Sequence, residues 1–232
     1  MENTLKKLLK TRKNFVFVGE AGCGKSEIAI NFAVKLAEIS DRPVHFFDMD
    51  QTKPLFRSRD VCDILEKKKV HFHYEDQFFD APTMVGGVRE HLADENAVVV
   101  MDVGGDHLGA RLIGGFSDIL NRSYTQNFFV INSYRPWSRE LVTIDGTMAR
   151  VLGMAHIALE NISVMSNPNL GVSTTAEEVL EGHAQLKDMI EEYLPVEYLC
   201  AQKHLCPQIE GKTDIHLLPV DLYLTYEWVE TE

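Results

Sequence analysis

The chain has 232 residues, 45% of them hydrophobic and 25% charged, so a sizeable core can form and intrinsic disorder is excluded. Lys and Arg number 23 against 35 Asp and Glu, a formal net charge of −12, which argues against general nucleic-acid binding because phosphate contacts require clustered cation. No run approaches the roughly 18 to 20 apolar residues of a membrane span, the basic first residues carry no apolar signal core, and Cys23, Cys62, Cys200 and Cys206 make no disulfide framework, so reduced thiols in a cytoplasmic setting are expected.

In chain order, Leu5, Leu8 and Leu9 among Lys6, Lys7, Lys10, Arg12 and Lys13 form a basic amphipathic segment over residues 1–13, read as a helix lying on its own domain. Phe15 to Val18 is a continuous aromatic and β-branched run that stops at Gly19, the pattern of a buried parallel strand. After Lys25, Ile28, Phe32, Leu36 and Ile39 recur at helical spacing until Asp41-Arg42-Pro43. Strands are predicted at Val44 to Phe47, Val70 to His73, Ala97 to Met101, Phe128 to Ile131, Ile162 to Met165 and Val196 to Leu199. Helices are predicted at Met84 to Leu92, Glu140 to Leu152 and Ala176 to Tyr193, with an apolar and aromatic tail over residues 201–232. This alternation implies an α/β fold: a mostly parallel sheet with helices on both faces, in one domain over residues 1–232.

Gly19-Glu20-Ala21-Gly22-Cys23-Gly24-Lys25-Ser26 fits the phosphate-loop pattern G-x-x-x-x-G-K-[ST], with a strand before it and an amphipathic helix after it, and Glu27, the next residue, is counted with the loop among the nucleotide-binding residues. Glycines let several backbone N–H groups converge on phosphate oxygens, and the helix adds the positive end of its dipole. Lys25 supplies a compact cation, and the Ser26 hydroxyl is a hard oxygen ligand for Mg²⁺. Such a loop needs an acid at a neighbouring strand end. Asp102, directly after Ala97 to Met101 and followed by Val103-Gly104-Gly105, reads as the metal-organising aspartate with a switch-like glycine. Asp48 and Asp50 lie on one side of the strand if it persists, where one can orient a water or a Mg²⁺-bound water.

These stretches together resemble the MinD/ParA branch of P-loop NTPases, of the SIMIBI type (the CobQ/CobB/MinD/ParA nucleotide-binding superfamily). The resemblance rests on Gly19 to Ser26, Asp48-Met49-Asp50 with Pro54 shortly after, and Val98 to Gly105. Val130 to Pro136, Ile162 to Asn169 and Leu194-Pro195-Val196 extend it over about residues 14 to 200. It implies an ATPase that holds ATP (ADP after turnover) on the loop and Lys25, and Mg²⁺ on Ser26, Asp102 and Asp50. It further implies that Gly105 senses the γ-phosphate, that Asn167 contacts the base, and that the chain acts as a switch on a partner protein. Members of this branch carry a second lysine near the start of the loop that reaches a dimer partner's nucleotide. Glu20 and Ala21 stand there instead, so homodimerisation through that lysine is not expected, and Lys53, Arg57 and Arg59 are candidates for the missing cation. ATP is favoured over GTP because no Asn-Lys-x-Asp pattern occurs.

Two other readings stay open on sequence: a small-molecule kinase or dethiobiotin-synthetase-like ligase, with Arg89, Arg111 and Arg122 as loose acceptor contacts, and a non-hydrolysing nucleotide-binding adaptor. His71 and His73 share a strand face, and Cys200 and Cys206 bracket His204. Neither group supplies the four ligands of a closed zinc site, so both are read as packing or surface residues.

Overall fold

Asn14–Val18 (β1) is buried at every position, as a strand lined on both faces by helices must be. The computed structural model describes residues 2–50, 58–74 and 85–224. Lys53, Pro54, Arg57 and Trp228 lie outside them, as does the side chain of Arg59. After β1 come Val44–Met49 (β2), Val70–His73 (β3), Val98–Val103 (β4), Thr125–Ile131 (β5), Ile162–Ser166 (β6), Val196–Gln202 (β7) and His216–Val220 (β8). Among the described residues these eight strands form one sheet, all neighbours parallel, in the order β3-β2-β4-β1-β5-β6-β7-β8.

The helices are Glu2–Leu9 (α1), Lys25–Ile39 (α2), Cys62–Lys67 (α3), Val88–Ala93 (α4), His107–Gly114 (α5), Ser117–Leu120 (α6), Leu141–Ala155 (α7), Ala176–Ile190 (α8) and Cys206–Ile209 (α9). On one face of the sheet, α2 drives Phe32 among Phe15, Phe17 and Phe128, with ring centroids 5.8, 5.2 and 5.2 Å away. On the other face Ile144, Met148 and Val151 of α7 and Leu186 of α8 pack with Val16, Met101, Phe129 and Ile131. The result is the three-layer α/β arrangement expected from the alternation of elements. Leu5 of α1 is buried in the α2 layer, so that the basic segment lies on its own fold.

Several boundaries move for identifiable reasons. Strand β5 starts three residues before Phe128 because the polar side chains there are satisfied inside: Asn127 Nδ2 donates to the Leu120 carbonyl at 2.9 Å and Gln126 Nε2 to Ser163 Oγ at 2.9 Å. Strand β4 runs on through Asp102 to Val103, and β2 through Asp48 to Met49, so both aspartates sit on strand rather than after it. Helix α8 begins at a reciprocal cap, in which Thr175 accepts from the Glu178 N–H and the Glu178 carboxylate accepts from that of Thr175. It ends at Ile190, three residues short of Tyr193. Part of the tail beyond residue 201 is the sheet's last strand, β8, paired with β7 from Tyr198↔His216 to Gln202↔Val220.

Phe32 ties the helix after the phosphate loop to two strands, so Phe32→Ala is expected to destabilise the fold by about 3–5 kcal/mol. A urea titration checks this: the midpoint should fall with an unchanged slope, and a loss under about 1 kcal/mol would contradict the packing described.

Candidate functional site

The loop after β1 turns the chain sharply enough to start α2 at Lys25 with Gly24 as its cap, at φ 91°. Its left-handed backbone requires glycine there, and an added Cβ would press on the amide end of the Asn167 side chain. Lys25 is only 5% exposed and Ser26 3%. The Lys25 ammonium donates to the Glu20 carbonyl at 3.1 Å and approaches Cys23 Sγ at 3.8 Å. Neither partner neutralises it. A buried cation is stabilised by an anion beside it.

The acids converge from the neighbouring strands. In register, Asp48 of β2 lies directly beside Asp102 of β4, and Phe17 of β1 beside Asp102 on its other side. Both aspartates share strand parity with Val44, Phe46, Val98 and Val100, which pack with α2, so their carboxylates lie on the loop's side of the sheet. Asp102 is fully buried, and Ser58 Oγ donates to its Oδ2 at 2.7 Å. The Asp50 N–H donates to Asp48 Oδ1 at 3.0 Å, which bends the chain as it leaves β2. A Cβ on Gly104 would lie 3.3 Å from Asp50 Oδ1, and one on Gly105 would lie 2.5 Å from the Ala21 nitrogen and 2.8 Å from Lys25 Nζ. The β4 loop therefore touches the phosphate loop at a glycine that nothing larger can replace in place.

A cavity of about 490 Å³ opens here, lined by Gly22, Lys25, Ser26, Asp50, Gly105 and Arg135 among others. Its donors suit a polyphosphate with a hard dication: backbone amides, an ammonium, a hydroxyl and carboxylates. Of the residues singled out on sequence, the structure brings Lys25, Ser26, Glu27, Asp50 and Gly105 to this cavity, with Asp48 and Asp102 adjoining it on the sheet. Asn167 stands behind the loop, where its Nδ2 donates to the Cys23 carbonyl at 2.8 Å. The wall further along is made by Asn169, Leu170 and Gly171.

Three features of the site were not legible in the sequence. Arg135, after β5, donates from Nε to the Gly22 carbonyl at 2.8 Å and so places a guanidinium at the cavity. Arg150 of α7 pairs with the Glu20 carboxylate, so the second residue of the loop is itself held by a cation. Glu27 accepts backbone N–H bonds from Tyr223 at 2.6 Å and Leu224 at 3.1 Å, clamping the segment after β8 against the first turn of α2, where Leu222 and Leu224 help to close the cavity.

The all-parallel sheet with a glycine-rich loop between β1 and α2 is an α/β fold of the P-loop type. No protein-family model matches the chain, and no curated protein matches it. Among solved structures it is similar to the signal recognition particle 54 kDa protein of Aeropyrum pernix K1 in complex with GDP, at 17% identity and a TM-score of 0.47, over 80% of this chain and 45% of that one. It is also similar to FtsY from Mycoplasma mycoides, at 14% identity and TM-score 0.49 over 80% and 58% of the two chains. HypB from Helicobacter pylori, in complex with nickel, gives 15% and 0.40 over 83% and 80%. The chain thus spans about half the length of the first two. No helix of the described residues is long and apolar enough to cross a membrane.

The Glu27 clamp has a direct consequence. Glu27→Ala leaves two backbone donors without their acceptor, which costs about 1–3 kcal/mol locally. Limited proteolysis should then cut the C-terminal segment at least several-fold faster than in the parent chain, and an unchanged cleavage rate would contradict the clamp.

Proposed function

We propose that the protein is an ATP- and Mg²⁺-dependent P-loop NTPase of the MinD/ParA kind, using hydrolysis as a switch on a partner protein. The observation that carries this reading is the Lys25 ammonium, buried at the loop and donating to the Glu20 carbonyl, beside a cavity walled by Ser26, Asp50 and Gly105. ATP is preferred because the sequence lacks the Asn-Lys-x-Asp pattern of guanine readers.

In this reading the loop amides and Lys25 hold the β- and γ-phosphates, and the N-terminus of α2 adds its partial positive charge. Ser26 and Asp102 would hold Mg²⁺, with Asp50 as a further oxygen donor. When bound, Mg²⁺ neutralises charge developing on the phosphate oxygens. Asp102 is oriented by the Ser58 hydroxyl, which donates to one carboxylate oxygen. Asp50, its backbone pinned by Asp48, orients the attacking water, and the close approach of Gly105 to Ala21 lets the β4 loop respond to an occupied γ-phosphate position. Positioning and charge do most of this chemistry, so no covalent nucleophile is required.

The cation that the branch usually takes from a dimer partner is supplied here in cis by Arg135, whose guanidinium already flanks the loop. Asn167 serves the base side indirectly, by fixing the Cys23 carbonyl and with it the loop's path. No general nucleic-acid surface is assigned to so acidic a chain.

Phosphate release measured with ATP and with GTP tests the assignment. Lys25→Ala should abolish turnover; Asp50→Asn should slow it by about 100-fold or more while nucleotide binding persists. Arg135→Ala should lower turnover at every protein concentration by the same factor. Near parental hydrolysis by Lys25→Ala contradicts the proposal, and faster GTP than ATP turnover contradicts the choice of base.

A further inference from the structure

The histidines set aside on sequence acquire partners in the fold. Parallel pairing of β2 with β3 aligns His45 with His71 and Phe47 with His73, so these side chains share one face of the sheet. Helix α4 then lowers His91 onto that face, with its ring centroid 4.2 Å from that of His45 and 5.2 Å from that of His73. One ring nitrogen from each of His45, His73 and His91 lies within 4.8 Å of the other two, and all three residues are half-buried. Nothing in the local sequence announces this. The three residues come from two strands and a helix, brought together only by register.

We propose that His45, His73 and His91 form a binding site for a divalent transition-metal ion of the zinc class, with a fourth position open to water. Imidazole nitrogens are the donors such ions take, at about 2.0–2.1 Å in a tetrahedral array whose ligand atoms stand about 3.3 Å apart. The observed nitrogens are close enough to reach that geometry by small tilts of the rings. The Nδ1 of His91 donates to the Gly87 carbonyl at 2.8 Å. A carbonyl can only accept, so this bond fixes the proton on Nδ1 and leaves Nε2 with its lone pair, the arrangement in which an outer hydrogen bond orients a metal-binding histidine. His45 Nδ1 and His73 Nε2 face each other at 2.9 Å and share one proton. A cation between them displaces that proton to the outer nitrogen of the same ring, so both rings stay neutral and both offer a lone pair. The Phe47 ring stacks on His73 at 4.5 Å, giving the site an apolar floor that excludes water from one side. Burial and the neighbouring imidazoles hold His45 down at about 4, and burial also lowers His73, so both rings are uncharged at neutral pH.

The site is separate from the phosphate loop. His45 and Phe47 alternate with Phe46 and Asp48 along β2 and therefore lie on the opposite face of the sheet from α2. With three protein ligands it is an exchangeable site rather than the closed four-ligand kind.

The test uses the full chain, stripped with chelator and titrated with ZnCl₂ by calorimetry and with CoCl₂ by visible absorption. One ion per chain is expected, with the visible bands of tetrahedral Co²⁺ on nitrogen ligands. His45→Ala and His91→Ala, on different elements, should each weaken Zn²⁺ binding by at least about 100-fold, since losing a ligand exceeds the loss of an outer-shell partner. His204→Ala should bind as the parent does. Melting curves establish that each variant is folded, and if one is not, the other gives the answer. Absence of saturable binding, binding that survives in folded His45→Ala or His91→Ala, or loss in His204→Ala instead overturns the site.

Discussion

The structure around the loop is organised by one buried cation. Lys25 must enter α2 at its first residue, so its ammonium is carried inward by the helix and held by the carbonyl of Glu20. Water would solvate that charge better than a carbonyl does, and the fold keeps it beside a polar cavity that Ser26, Asp50 and Arg135 help to line. The glycines follow from the same constraint: Gly24 admits Asn167 against the loop, and Gly105 admits the β4 loop against Ala21 and Lys25. A side chain at Gly105 would push against the cation itself.

The sheet order explains why the acids face that cation. With β4 between β1 and β2, the ends of three strands lie side by side, and register aligns Phe17, Asp102 and Asp48 in one row. Placing carboxylates so close together is unfavourable unless a dication or hydrogen bonds offset their repulsion. Ser58 Oγ donates to one oxygen of Asp102 and the Asp50 backbone N–H to one of Asp48, which offsets part of that repulsion. The second group of titratable residues, the histidines of β2, β3 and α4, grows from the same strand on its other face, so that β2 serves two chemistries by alternation of its side chains.

What could be read in the sequence was local. The loop, its flanking strand and helix, and the aspartates after apolar runs are carried by neighbours within a few residues, where periodicity and turn chemistry speak directly. What could not be read depended on long-range partners. Arg135 is about 110 residues from the loop it touches, and Glu27 meets Tyr223 and Leu224 nearly 200 residues later. Strand β8 went unrecognised because Pro219 and half-exposed residues interrupt its apolar pattern, as suits an edge strand. The first residues of β5 were hidden because buried Gln126 and Asn127 look like loop residues until their hydrogen-bond partners are known. His73 was visible on its strand face, but a ligand set needs His45 and His91, and only register and helix placement supply them.

The most direct test of the account is a calorimetric titration of the intact chain with a non-hydrolysable adenosine triphosphate analogue, with and without Mg²⁺. A cradle built around Lys25 predicts saturable binding of one nucleotide per chain, tighter when Mg²⁺ is present. A titration that releases no heat and shows no saturation in either condition would contradict it.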